Sequence, residues 1–269
     1  MVKVKKNQCY PDAVFTTFGL MKISVVSYLN SAPLVYGIQH ATELKDCSVS
    51  LDVPAAGAAK LASGEADIAL VPVGAFVQPG QVEWVGSYCI GVEGPVRTVC
   101  LFSEVSLNRI RKVWLDPHSR TSVQLIRILA REHWKFAWEF IPASEGFEYN
   151  AIKGDNAGVC IGDKVFDIEG RYPYRYDLAQ EWIRFAGLPF VFAAWALKKP
   201  IDPDMIKQLD QAQSAGIKAI PDIARDWSFK ISLPESEIRD YLTNNISYQF
   251  TKEKKEGMDR FFSLIQNQS

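Results

Sequence analysis

The first residues able to do chemistry stand in a polar loop, 27–31 (SYLNS), that follows a short apolar strand and precedes Pro33. Ligands of open α/β sheets bind beyond the carboxyl ends of the strands. A helix that opens at Pro33 would direct free N–H groups and a partial positive charge at the same point. Asn30 can both donate and accept hydrogen bonds, so the loop could bind a polar or anionic substrate. A helix cap followed by turn residues would give the same pattern.

A second polar cluster follows another short strand and opens an amphipathic helix, with Ser119, Arg120, Thr121 and Ser122 in sequence. Backbone N–H groups, the helix dipole and a guanidinium could together bind an anion there. One or two of the hydroxyls must also cap the helix, so both interpretations stay open. His118, just before the cluster, is predicted to be a surface residue rather than an acid or base.

Two further polar pairs lie near strand ends. Arg97 and Thr98 follow a Gly-Pro turn near the predicted hinge, where an arginine beside a hydroxyl suits a carboxylate. An exposed strand arginine is the alternative interpretation. Asp163 follows Gly162 at the end of a buried strand, where it could face a cleft or accept from a backbone amide, and the structural role is favoured.

The elements that must position these groups alternate between strands and helices. Strands at 23–27, 48–53 and 67–71 are separated by helices at 33–39 and 54–63, which is typical of a parallel sheet with covered faces. After the apolar strand 190–197 the pattern is helical only. The sequence predicts an extension at 1–20, a first lobe from 21–100 and 190–269, and a second lobe at 101–189. A chain that crosses twice between lobes makes a hinged cleft.

Composition narrows the function. The 269 residues carry a net charge of −1, with 30 basic and 31 acidic side chains, so neither nucleic acid nor a membrane surface is an expected partner. Five scattered cysteines favour a reducing compartment over a disulfide framework or a zinc site. Nucleotide-binding and metal-binding motifs are missing from the sequence, which predicts that an enzyme of this sequence works without metal or nucleotide. No apolar run is long enough to span a membrane, and 1–20 lacks the core of a signal peptide.

Taken in order, these segments resemble the chorismate dehydratases of the futalosine route to menaquinone. The resemblance covers about 21–262 and rests on seven segments: SYLNSAPL at 27–34, GEADIALVP at 64–72, GPVRTV at 94–99, LDPHSRTS at 115–122, IGD at 161–163, YDL at 176–178 and GLPFVFA at 187–193. The sequence departs from the family at Ala32, where a leucine is frequent, and in its residues before Met21.

The resemblance implies removal of water from chorismate to give 3-[(1-carboxyvinyl)oxy]benzoate. It also implies an α/β fold like that of type II periplasmic binding proteins, with a helical C-terminal segment, and a cytoplasmic monomer or homodimer without cofactor. Asn30 and Ser31 would face the reacting carbons and the leaving hydroxyl. Arg120 and the amides of 119–122 would hold one carboxylate, while Arg97 would hold the other or support the hinge. Tyr28, Thr98 and Asp163 complete the predicted substrate contacts.

Two alternatives stay open. The sister enzyme of the pathway, which cyclises dehypoxanthine futalosine, shares the fold. Its first loop has an N-D-T type of sequence, whereas residues 30–33 of this chain match the first loop of the dehydratases better. The other alternative is a protein that binds a small anion without chemistry, against which the missing export signal argues.

Overall fold

The computed structural model describes residues 20–116, 119–143 and 151–267. His118 and the predicted extension, apart from Leu20, lie outside these ranges. The described residues form two β-sheets with helices packed around them, which confirms the predicted α/β class.

The first sheet has six strands in the order β11-β4-β10-β3-β1-β2. β1 pairs in parallel with β2 and β3, while β10 runs antiparallel to β3 and β4. Its strands are β1 (Lys22–Val26), β2 (Ser48–Asp52), β3 (Ile68–Pro72), β4 (Glu83–Val92), β10 (Phe190–Leu197) and β11 (Ser247–Gln249). All eight residues of β10 are buried, so this apolar run is a central strand as predicted.

The second sheet has five strands in the order β7-β6-β8-β5-β9. They are β5 (Val99–Ser103), β6 (Lys112–Leu115), β7 (Glu139–Pro142), β8 (Asn156–Ile161) and β9 (Tyr174–Asp177). The chain therefore passes from the first sheet to the second after β4 and returns before β10. The predicted lobe limits at 100 and 189 stay a prediction.

The helices cover the sheets and their edges. They are α1 (Ala32–His40), α2 (Pro54–Ser63), α3 (Arg120–Ile128), α4 (Val165–Ile168), α5 (Leu178–Ala186), α6 (Pro203–Lys218), α7 (Ile220–Ser228), α8 (Glu235–Asp240) and α9 (Lys252–Gln266). Single 3₁₀ or π turns precede or extend several of them, including Leu29–Ser31 before α1 and Tyr241–Asn245 after α8. The expectation of helices alone after residue 197 is wrong in one place, because β11 adds an edge strand beside β4.

Helices α1 and α6 cross with almost no space between their backbones. A Cβ atom at Gly37 would lie 2.0 Å from the carbonyl oxygen of Ala212, and one at Gly216 would lie 1.9 Å from that of Pro33. Only glycine at both positions permits this approach, since real Cβ contacts are much longer. The crossing fixes the start of α1, and with it the loop 27–31.

Candidate active site in the interlobe cleft

A cavity with about 530 Å³ of free space, part of it open to solvent, lies between the two sheets. Its walls are mostly apolar and include Ile90 from β4 and Phe192 from β10. Five of the predicted site residues line it: Tyr28, Asn30, Ser119, Thr121 and Ser122.

Asn30 sits in the 3₁₀ turn Leu29–Ser31, immediately after β1 and before α1. Its Oδ1 atom is buried and accepts no hydrogen bond from any described residue. Buried amide oxygens almost always have a partner. Because Asn30 also lines the cavity, its side chain is a candidate for contact with a ligand.

Ser31 lies beneath the loop and not on the cavity wall. It is fully buried, and its hydroxyl contacts the carbonyl oxygens of Val26 and, at 2.7 Å, of Tyr28. The same oxygen accepts from the Tyr28 backbone N–H at 3.3 Å. These contacts stabilise the turn that carries Asn30, and the catalytic role predicted for Ser31 stays a prediction.

The first turn of α3 forms the opposite wall. Ser119 is its N-cap and accepts from the Ser122 N–H at 3.0 Å, while the two hydroxyls are 2.7 Å apart. Thr121 Oγ1 accepts from the Gly74 N–H at 3.0 Å and donates to the Phe192 carbonyl at 3.1 Å. The capping role that the sequence offered is therefore confirmed. The first-turn N–H groups give this wall a partial positive charge, and the binding of an anion there stays a prediction.

Arg120 is the first residue of α3 and is exposed to solvent. Its side chain is not among the groups that line the cavity. The predicted contact of its guanidinium with a carboxylate stays a prediction.

Arg97 lies apart from the cavity, in a network of charges. Its guanidinium binds Glu169 at 2.8 Å and also Glu237, and it lies 5.1 Å from the centre of the Phe166 ring. Its backbone has a φ of 67°, and Asp177 accepts from its N–H at 2.6 Å. Of the two roles that the sequence left open, these contacts favour support of the hinge. Thr98 also lies behind the cavity wall, 2.7 Å from the Tyr241 hydroxyl.

Asp163 links the two lobes. Its carboxylate oxygens lie 3.0 and 3.1 Å from the Leu29 N–H, which donates to them from the loop 27–31. Burial raises the pKa of Asp163 to about 6, and this hydrogen bond lowers it only in part. The sequence allowed two roles for Asp163, and the structure shows the one in which it accepts a hydrogen bond from a backbone amide.

Tyr28 lies over Gly162, which has a φ of 72°. A Cβ atom at position 162 would lie 3.2 Å from Cε1 of the Tyr28 ring, so glycine allows the ring to close against the second lobe. Burial, then the negative charges of Asp116 and Asp163, raise the pKa of Tyr28 to about 12. Its hydroxyl therefore stays protonated at neutral pH and is a hydrogen-bond donor beside the cavity.

Sequence reasoning missed two kinds of residue. Apolar wall residues such as Ile90 and Phe192 belong to strands that were predicted, but no sequence pattern marks which face meets the cavity. Tyr241 and Tyr248 approach the Asn30 loop from the far end of the chain, and nothing local in the sequence signals that contact.

Neither a metal site nor a membrane helix is evident in the part of the chain that the structure describes. Those residues contain no group of three or more His, Cys, Asp or Glu side chains able to hold a metal ion. Among them, too, no helix is long and apolar enough to cross a bilayer.

Ionisation of the buried Asp163 carboxyl is expected to lower the free energy of unfolding. Because its pKa rises from 3.8 in the unfolded chain to about 6 in the folded protein, the folded state binds the proton more tightly, and stability falls as pH rises from about 4 to 6. We expect Asp163→Asn to raise the free energy of unfolding at pH 7.5 by roughly 1–3 kcal/mol and to flatten this pH dependence. The amide oxygen can still accept from Leu29.

Urea unfolding between pH 4 and 8 measures this effect, and the exposed Asp226→Asn is the matched control. A variant no more stable than wild type at pH 7.5, with the same pH profile, would contradict the assignment of a costly buried charge.

The fold and cleft define the class of protein, which is a two-lobed α/β protein of the periplasmic-binding-protein type. A solved structure from Archaeoglobus fulgidus aligns over 92% of this chain and 97% of its own, with a TM-score of 0.73 and 13% identity. A Candida albicans protein described as having the generic periplasmic-binding-protein fold aligns over 92% and 90%, with a TM-score of 0.67 and 12% identity. These likenesses confirm the predicted fold.

Sequence comparison gives the family. Residues 21–267 match the model of the menaquinone biosynthesis family, and the chain belongs to that family. A curated relative, the chorismate dehydratase of Thermus thermophilus, is 25% identical over 255 residues, which span 88% of this chain and 92% of that protein.

Proposed function

We propose that the protein removes water from chorismate to give 3-[(1-carboxyvinyl)oxy]benzoate. The observation that carries the proposal is that Asn30, whose buried Oδ1 has no partner among the described residues, lines the same cavity as the first turn of α3. Membership of the menaquinone biosynthesis family and the likeness to a chorismate dehydratase support it.

The cavity suits the chemistry of this substrate. Chorismate has two carboxylates, a hydroxyl and an apolar ring, so it needs both positive and apolar surroundings. The first turn of α3 offers N–H groups and the positive end of a helix dipole to one carboxylate. Ile90 and Phe192 offer an apolar surface to the ring. The protonated hydroxyl of Tyr28 is a further donor at the edge of the site.

The reaction moves one proton and breaks one carbon–oxygen bond. The proton leaves the ring carbon that bears the ether, and its electron pair forms the new ring double bond. The neighbouring hydroxyl departs and, with a proton, becomes water. Because the ring becomes aromatic, the driving force is intrinsic, and the protein needs to orient the substrate and stabilise the developing charge.

We assign the proton transfer to the substrate itself, with Asn30 as the positioning and stabilising group. The carboxylate of the enolpyruvyl side chain would take the ring proton while the Asn30 amide holds it in place. Asp163 is a poor alternative base for two reasons. Both of its carboxylate oxygens accept from the Leu29 N–H, and its side chain is not among the groups that line the cavity.

The remaining features follow from this chemistry. Aromatisation calls for neither electron transfer nor a Lewis acid, so we propose that the protein works without a cofactor. We also propose that it acts in the cytoplasm on this small molecule, as a monomer or homodimer, with Arg97 at the hinge.

The test is direct. Purified protein incubated with chorismate, without added metal or nucleotide, is expected to give a product lighter by one water, with the ultraviolet spectrum of a substituted benzoate. Protein stripped with a chelator is the control for cofactor independence. Folded protein that leaves chorismate unchanged would contradict the proposal, and titration with dehypoxanthine futalosine would then test the sister activity.

A further inference from the structure

The backbone of Asn30 is held from the opposite end of the chain. The Tyr248 hydroxyl donates to the Asn30 carbonyl oxygen at 3.0 Å, across 218 residues of sequence. Tyr248 is only 6% exposed, so this hydrogen bond is shielded from water. The carbonyl cannot accept the usual 3₁₀ bond from three residues further on, because Pro33 has no N–H. Tyr248 supplies a donor from outside the helix.

A second tyrosine lies beside the Asn30 side chain. Tyr241 is fully buried, its hydroxyl is 2.7 Å from Thr98 Oγ1, and its ring packs edge-on against Phe166. Burial raises the pKa of Tyr241 far above its ordinary range, and the nearby Thr98 and Asn30 side chains lower it only in part. Burial also raises the pKa of Tyr248 well above its ordinary value, so both phenols stay protonated at physiological pH.

The strand that carries Tyr248 is itself fixed on both sides. β11 is only three residues long, and it pairs with β4 at the sheet edge. Lys254, fully buried in α9, donates to the carbonyls of Ser247 and Gln249 at 3.0 and 2.7 Å, the residues that flank Tyr248. A buried ammonium with several acceptors holds this short strand far more firmly than its ladder alone.

We propose that Tyr248 is a positioning residue for the reaction, acting through the backbone of Asn30, and that Lys254 keeps it in place. This inference rests on the proposed function of Asn30. Because Tyr248 does not contact the cavity, it would affect the orientation of Asn30 and not the binding of substrate. Small errors of position in a reacting group lower turnover strongly.

Tyr248→Phe removes only the hydroxyl, so it tests the hydrogen bond with little loss of packing. We expect kcat for chorismate to fall by about tenfold or more while KM changes by less than about threefold. Tyr88→Phe is the matched control, since Tyr88 is also buried in the adjacent strand and makes no hydrogen bond to Asn30. Equal kcat in Tyr248→Phe and wild type would overturn the inference.

A double-mutant cycle separates positioning from general destabilisation. In the Asn30→Ala background, Tyr248→Phe should cause no further loss of kcat, because there is no side chain left to position. If Tyr248→Phe lowers kcat by the same factor with and without the Asn30 side chain, the inference is wrong.

A measurement without substrate distinguishes failure of this inference from failure of the proposed function. The Asn30 side-chain amide signals in a ¹⁵N NMR spectrum should shift or broaden in Tyr248→Phe and stay unchanged in Tyr88→Phe. If wild type fails to convert chorismate, the proposed function is lost while this signal still decides whether Tyr248 positions Asn30. Unchanged Asn30 signals in Tyr248→Phe would overturn the inference.

Discussion

Asn30→Ala is expected to lose most of the turnover of chorismate and little of its binding. Removing one preorganised group that stabilises charge in a transition state typically lowers kcat by about 10²–10³-fold. Asn30 lines the cavity, and its buried Oδ1 has no hydrogen bond among the described residues, so its removal breaks no hydrogen bond of that oxygen within the protein. Steady-state kinetics should show this fall in kcat with KM within a few-fold of wild type.

The control for this substitution is Asn244→Ala, which removes an exposed asparagine that donates to Asp240 at 2.6 Å. It should leave both constants unchanged. If Asn30→Ala instead raises KM with kcat intact, Asn30 binds the substrate uniformly and the proposed role in catalysis is wrong.

Gly216→Ala is expected to cause the largest loss of stability among single methyl additions. The new Cβ would lie 1.9 Å from the Pro33 carbonyl oxygen and close to the Gly37 backbone, so α1 and α6 must move apart. Backbone atoms cannot yield as a flexible side chain can. We expect a loss of about 3 kcal/mol or more in the free energy of unfolding, and a fall in Tm of roughly 5–10 °C.

Calorimetry of Gly216→Ala against Gly94→Ala measures this effect. A Cβ at Gly94 meets no atom within 4 Å, so the control adds the same methyl group without a clash. Because Pro33 lies in the first turn of α1, close to Asn30, the folded fraction of Gly216→Ala should also have a lower kcat. A variant as stable as Gly94→Ala would contradict the close crossing of α1 and α6.

The two polar clusters at helix starts could be predicted because their signals are local. The loop with Asn30 follows a strand and precedes a proline, and the cluster at 119–122 has capping residues at the spacing that a helix N-terminus requires. The structure brings both into one cavity. The order of strands and helices was predictable for the same reason, since periodicity and turn residues act over a few positions.

The charged residues were harder to interpret, because their roles depend on partners far away in sequence. The residues next to Arg97 in the sequence indicated a site for a substrate carboxylate. In the structure its guanidinium forms ion pairs with Glu169 and Glu237, which belong to two other segments. Asp163 contacts Leu29 across 134 residues. The edge strand β11 also escaped prediction, because three residues have too little pattern to distinguish a strand from a loop.

The hydrogen bond between Tyr248 and Asn30 has a consequence for the order in which the protein becomes active during synthesis. The loop at the first strand is translated early, whereas its support from β11 and α9 is translated almost last. A ribosome-bound chain, or one cut short before residue 248, would contain every residue that lines the cleft and still lack the donor for the Asn30 carbonyl. Full turnover would then be reached only at a late step of translation, when the Tyr248 hydroxyl can donate to the Asn30 carbonyl oxygen.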